Sequence, residues 1–202
     1  MTRSPSAAAL AVALALTTPL PAQEERVQKL VATLSAGSDE ARTQAADEIA
    51  ACAESCTAAL PWLVDALKDK SLLTRTSAAN ALKTVLFSAR AWKKPVTPPV
   101  GGLDALRSSL KEASRWKDAG QRNLFTASAV EALGFFGKDA LPDIVPRLSE
   151  RETPVRVAAV DALRHLGPEA RDALPRLEEM KADKDEYVRQ QVDQAIQAIS
   201  AR

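Results

Sequence analysis

The sequence predicts an all-α chain of about five helical hairpins laid side by side, and three observations carry that expectation. Hydrophobic residues make up 46% of the 202 positions while aromatics make up 4%. The core must therefore be built from Ala, Leu and Val, side chains that suit closely packed helices better than strands. Two helical patterns then alternate along the chain, and wherever two complete copies adjoin they recur with a period of 33 residues. Self-similarity at that period is the mark of a repeat architecture.

The first-helix pattern places apolar residues at i, i+3 and i+7. It occurs at Val27, Leu30 and Leu34, at Leu60, Leu63 and Leu67, and at Leu103, Leu106 and Leu110. It returns at Leu141, Ile144 and Leu148, and at Leu174 and Leu177 with Met180 one place early. That spacing puts each set on one helical face. The second-helix pattern is an Arg followed by small residues and a closing apolar pair: Arg42 with Ala45 and Ile49, Arg75 with Ala78, Leu82 and Val85, Arg156 with Ala159, Leu163 and Leu166, Arg189 with Val192, Ile196 and Ile199. In each of these four copies the Arg lies 15 residues after the first apolar anchor. The third copy keeps the helix, with Ala129, Leu133 and Phe136, but has Thr126 in place of the Arg.

Punctuation agrees with this phase. Gly137 and Gly167 end second helices. Pro61, Pro142 and Pro175, which would break a helix interior, mark where first helices start. The copies fall at about residues 24–56, 57–100, 101–137, 138–167 and 168–202. One hairpin cannot bury its apolar face alone, and stacking gives each copy neighbours to bury it against.

A Leu-Pro opening, an acid six residues before an Arg and an Ala-Leu pair ending at Gly are similar to the HEAT repeat. The resemblance covers roughly Glu24 to Arg202, is clearest in the last two copies, and implies a right-handed α-solenoid. It also implies that the acid and Arg positions make hydrogen-bonded ladders between neighbouring repeats. Asp69 with Arg75, Glu150 with Arg156 and Asp183 with Arg189 match those positions, whereas Ala36 and Gly120 stand at the acid position of the first and third copies.

Two insertions depart from the period. Arg75 to Leu103 is ten residues longer than the standard, and Leu103 to Thr126 is eight longer. Read as loops, residues 88–102 and 114–122 flank the first helix of the third copy, and loops are where repeat scaffolds place variable function. They carry Trp92, Lys93 and Lys94, and Arg115, Trp116 and Lys117. If both loops emerge on one side they form a basic aromatic patch for a peptide, a saccharide or an anionic partner; otherwise each Trp covers the end of its own hairpin. On the inner, second-helix surface, Asp47, Asn80, Glu131, Asp161 and Gln194 share one register. Phe135 and His165 share another, so these two should be neighbours on adjacent copies. They form a small recognition spot if exposed.

Residues 1–22 read as a secretory signal: Arg3 in a short polar start, an apolar run from Ala7 to Leu16, and a small residue, Ala22, before Gln23. The run is too short for a permanent span, with an N-terminal anchor as the alternative reading. Residues 23–202 are then the repeat domain, exported to a periplasmic or extracellular space. In an oxidising compartment Cys52 and Cys56 are within reach of a disulfide if the helix ends between them; inert thiols are the alternative, and a lone C-x3-C with a distant single His is a poor zinc site.

Lys and Arg number 27 against 26 acids, so no global attraction to nucleic acid is expected. No catalytic His set, Gly-rich phosphate loop or metal pair is present, and no cofactor is expected. The Cys pair is the only nucleophile for the lyase-like role that some HEAT-like proteins have. The expected function is a non-enzymatic scaffold that binds a protein or peptide through the second-helix face and the two insertions. The alternative is a structural or sensory envelope module binding a glycan or anionic polymer at the Trp/Lys loops.

Overall fold

The computed structural model of the chain describes residues 22–94 and 96–201; apart from Ala22, the expected signal segment lies outside the described residues. Among the described residues ten α-helices form five hairpins: α1 (Ala22–Ala36) with α2 (Asp39–Cys52), α3 (Leu60–Ala66) with α4 (Leu72–Ala91), α5 (Gly102–Ala113) with α6 (Ala119–Leu133), α7 (Leu141–Ile144) with α8 (Thr153–Leu166), and α9 (Leu174–Met180) with α10 (Glu186–Ser200). No strand occurs among the described residues.

Local chemistry explains most helix starts. Second helices open on a side chain that accepts a free first-turn N–H. Ser38 accepts from Ala41, Ser71 from Thr74, Asp118 from Gln121, and Asp185 from both Tyr187 and Val188. The α8 helix instead has Pro154 in its first turn, where a missing N–H costs nothing. Pro61, Pro142 and Pro175 occupy the first turns of α3, α7 and α9, each entered from a 3-10 turn. A second proline, Pro146, removes another donor four residues on. The fourth copy's first helix therefore tightens into a 3-10 segment over Val145–Ser149.

Stacking buries the patterned faces. Leu63, Leu106, Ile144 and Leu177 have no exposed surface, while Leu103, Leu141 and Leu174 are half-buried against the same core. Second helices pack in sequence order, α2 on α4, α4 on α6, α6 on α8 and α8 on α10. First helices are linked by polar contacts too. Buried Ser109 of α5 donates to the Leu67 carbonyl at the end of α3 (2.9 Å), and Arg107 reaches Asp143 of α7 (2.7 Å).

The acid and Arg positions make a ladder between neighbouring copies, as the resemblance implies, with different contacts within a copy and across copies. Within a copy the Arg meets only the acid's backbone carbonyl: Arg75 donates to Asp69 O, Arg156 to Glu150 O and Arg189 to Asp183 O. The carboxylate faces the Arg of the preceding copy, 27 residues back. Arg42 binds Asp69 through both Nε (2.7 Å) and Nη2 (2.9 Å), and Arg156 binds Asp183 in the same bidentate way (2.9 Å twice). The spare capacity of each Asp caps the next helix, through Ser71 N–H and Asp185 N–H respectively. Such forked pairs fix direction as well as distance.

At the third copy both partners change. With Gly120 at the acid position, Arg75 turns to Glu112 of α5; with Thr126 at the Arg position, Glu150 pairs with Arg147 of its own turn (2.7 Å). Asp69 is held below the ordinary carboxylate range by Arg42. Burial pushes Asp183 up, but hydrogen bonds from Arg156 and Asp185 outweigh it and hold Asp183 low as well.

The ends of the second helices show a further regularity. Eleven residues after the Arg position stand Gly137 (φ +74°) and Gly167 (φ +59°), and the first copy has Ala53 there with φ +49° and ψ −125°. That conformation is close to glycine-only for an L residue. Cys52 and Cys56 bracket it, joined by a disulfide with Cα atoms 5.7 Å apart. In the second copy the position is Leu86, a helix former, and α4 runs on to Ala91.

Two outcomes follow for stability. Removing Arg156 by Arg156→Ala leaves Asp183 largely buried without its partner and should cost about 3 kcal/mol at pH 7. Because Asp183 is depressed in the folded state, its contribution is present above the ordinary aspartate range, about pH 4, and is lost as pH falls through the lowered value. Denaturant unfolding of the two proteins should therefore differ most at neutral pH, with the difference starting to shrink below about pH 4 and vanishing only as the pH falls through the lowered value. Ala53→Gly should relieve the left-handed strain and stabilise by about 1 kcal/mol, read as a Tm rise of about 2–4 °C.

Candidate functional site on the inner face of the second helices

The five second helices lie side by side and share one free face. Two residues before the Arg position, at or near the start of each helix, the column reads Glu40, Leu73, Leu124, Pro154 and Tyr187, all exposed. Leu73, Leu124 and Tyr187, of the second, third and fifth copies, are 55–64% exposed, large apolar side chains left facing solvent. Eleven residues on, about 16 Å along the helix and nearly on the same face, the column reads Ala51, Thr84, Phe135, His165 and Ala198. Between them runs the polar register of Asp47, Asn80, Glu131, Asp161 and Gln194. The face is thus an apolar ridge and an aromatic cluster separated by a polar strip.

The aromatic cluster is assembled from three helices. Phe135 stacks on His165 with ring centroids 4.8 Å apart, and Phe87 of α4 tilts against the other side at 5.5 Å. The two residues are neighbours on adjacent copies, yet His165 is only 8% exposed, so Phe87, half exposed, is what solvent meets rather than the imidazole. Close approach makes this possible. A Cβ on Gly134 would lie 2.6 Å from the Ala162 carbonyl oxygen, so only glycine lets the end of α6 settle onto α8.

Charge is ordered beneath the rings. Lys83 donates to Glu131 (2.7 Å), whose other oxygen lies 4.0 Å from His165 Nε2. Burial pushes Glu131 up, but His165 and Lys83 together hold it below its ordinary range. Asp161 accepts from Arg164 (2.6 Å). Because α4 runs past the end of α6, Arg90 crosses the third copy altogether and donates to the His165 carbonyl in α8.

The two insertions do not converge. Residues 88–91 are helical, as the end of α4, and residues 119–122 are the first turn of α6. Trp92 caps the C-terminus of α4 and is 70% exposed, and exposed Lys93 (φ +53°) and Lys94 follow it. Trp116 belongs to the opposite end. It is half-buried, packs on Phe125 (4.9 Å) and lies under the guanidinium of Arg75 (5.9 Å), which is in the first turn of α4. The ends of that helix are about 25 Å apart at 1.5 Å per residue, so the basic aromatic patch is not assembled. Arg115 and Lys117 remain exposed beside Trp116.

What the first insertion does join is the inner face. Lys93, Lys94, Val96 and Pro98 come down beside Phe135 and His165. The apolar ridge was legible in the register of the Arg positions, but it lies outside the stretches of unusual composition. Phe87 and Arg90 gave no such signal, because their role depends on α4 outrunning its neighbours. Among the described residues no three His, Cys, Asp or Glu side chains gather as a metal site, and no helix is long and apolar enough to cross a membrane.

Comparison with known proteins agrees with this architecture. Residues 122–197 match the family model described as HEAT repeats, a span that runs from α6 through the last two copies. HEAT-repeat character is shown for that stretch, and the earlier copies share its helical-hairpin architecture. No curated protein matches it. It is similar in fold to the crystal structure of an engineered protein from the Northeast Structural Genomics Consortium, with a TM-score of 0.58, 19% identity, and coverage of 86% of this chain and 78% of that one.

Proposed function

We propose that the chain is an exported, non-enzymatic scaffold that binds a protein or peptide along the inner face of its second helices. HEAT repeats generally mediate protein–protein interaction. The observation that carries the reading here is the ridge of Leu73, Leu124 and Tyr187 facing Phe87 and Phe135 across the polar strip. Apolar anchors flanking a polar centre suit a partner that presents side chains at two edges and polar groups between them. Export is supported by the sequence of residues 1–22 and by the Cys52–Cys56 bond, which persists in oxidising compartments.

Ridge variants test the face without touching the core. Leu124→Glu and Tyr187→Glu together should reduce capture of the partner from an envelope extract by about 30-fold, the loss expected of a 2 kcal/mol anchor. Trp62→Glu, on α3 and away from this face, should leave capture unchanged. Equal capture by wild type and the ridge variant, with loss in the Trp62 variant, would move the interface to the first helices. Export is checked by N-terminal sequencing of protein recovered from the envelope, with Gln23 as the expected first residue.

A further inference from the structure

A concavity lies where the first insertion folds against the inner face. It is a cavity of about 420 Å³, within the range of sites that enclose a small ligand. It exists because Leu86 replaces the helix-ending glycine of other copies. The α4 helix then overshoots, and the chain must double back over the end of α6 to start α5 at Gly102, whose Cα hydrogen side packs on Phe136. The result is a chamber whose apolar lining comes from Leu86, Val96, Pro98, Phe135 and Leu166.

Its polar lining is lopsided in charge. Arg90, Lys93 and Lys94 bring three cations against the single carboxylate of Glu169, a balance of 3 − 1 = +2. Glu169 is already engaged, accepting from Lys138 N–H (2.9 Å). Lys93 and Lys94 are exposed, while the greasy surface is inside. An occupant that matches both features has one apolar group and one negative charge, with the charge held toward the lysines. Glu169 in the same lining opposes a second negative charge and so disfavours a phosphate dianion.

The cavity also adjoins a shallower groove that shares Arg90 and His165 with it. That groove continues over Phe87 and Arg164 to Gln194 and Gln197 of α10. Glutamine amides both donate and accept, as an extended peptide backbone requires. The geometry points to one occupant: the C-terminal residue of the partner peptide, its apolar side chain in the chamber, its α-carboxylate on Lys93, Lys94 and Arg90, and its preceding residues along Gln194 and Gln197. This rests on the peptide-binding reading above and names the end of the peptide that is read.

The single histidine of the chain supplies the assay, since His165 lines both spaces and its ring resonances are unique. Three probes are compared by NMR titration: an octapeptide ending in Phe with a free carboxylate, the same octapeptide as its C-terminal amide, and N-acetylphenylalanine. The free-acid octapeptide should shift the His165 signals and bind at least tenfold more tightly than either other probe. In Lys93→Gln/Lys94→Gln protein its affinity should fall at least fivefold, with that of the amide unchanged. Equal binding of acid and amide would overturn carboxylate recognition, and equal binding of N-acetylphenylalanine would make the chamber a small-carboxylate site instead. No shift of His165 with any probe overturns the proposal outright. Partner capture that depends on Leu124 and Tyr187 would survive each of these failures, so the two readings fall separately.

Discussion

Everything in this molecule follows from the inability of a single helical hairpin to hide its own apolar face. Ala, Leu and Val supply modest area per residue, so each copy is stable only between neighbours. Burial alone, however, is non-directional. The forked Arg42–Asp69 and Arg156–Asp183 pairs add direction, locking one copy to the next at a set rotation and capping the incoming helix with the same carboxylate. Hydrophobic area drives the stack and these rungs set its geometry.

The third copy shows what happens when that device is interrupted. Neither Gly120 nor Thr126 can take part in a rung, and the flanking partners, Arg75 and Glu150, find local substitutes in Glu112 and Arg147. The same copy is flanked by both insertions and sits beneath the overshooting end of α4. Past this segment the Arg90 side chain donates to the His165 carbonyl, joining the second copy to the fourth. Irregularity and the candidate site coincide because a cavity requires a break in an otherwise close-packed series. A similar logic governs helix ends. Where Gly167 accepts a positive φ α8 stops, where Leu86 stands α4 continues, and where Ala53 stands a disulfide brackets the strained turn, whereas α6 already ends at Leu133, ahead of the expected Gly137.

Much of this was legible before any coordinates. Helix order, the buried faces, the starts at Pro61, Pro142 and Pro175 and the adjacency of Phe135 and His165 all follow from a period of 33 and a helical repeat of 3.6 residues. The rungs were legible through the resemblance, which marked the acid and Arg positions and implied ladders between neighbouring copies; the bidentate Arg42–Asp69 pair, 27 residues apart, is such a rung. What the pattern did not carry is the forked geometry of each rung and the substitutes that Arg75 and Glu150 find at the third copy.

The amino-acid order by itself determined the all-helical class, the number of hairpins and which side of each helix is buried, because those depend on local periodicity and on backbone chemistry at Gly and Pro. Tertiary structure alone decided that Trp92 and Trp116 stand at opposite ends of α4, that Arg90 reaches His165, and that the lysines of the first insertion share a chamber with Phe135. Those relations depend on how far one helix runs past another, a distance set by the summed packing of several copies and carried by no single segment of the chain.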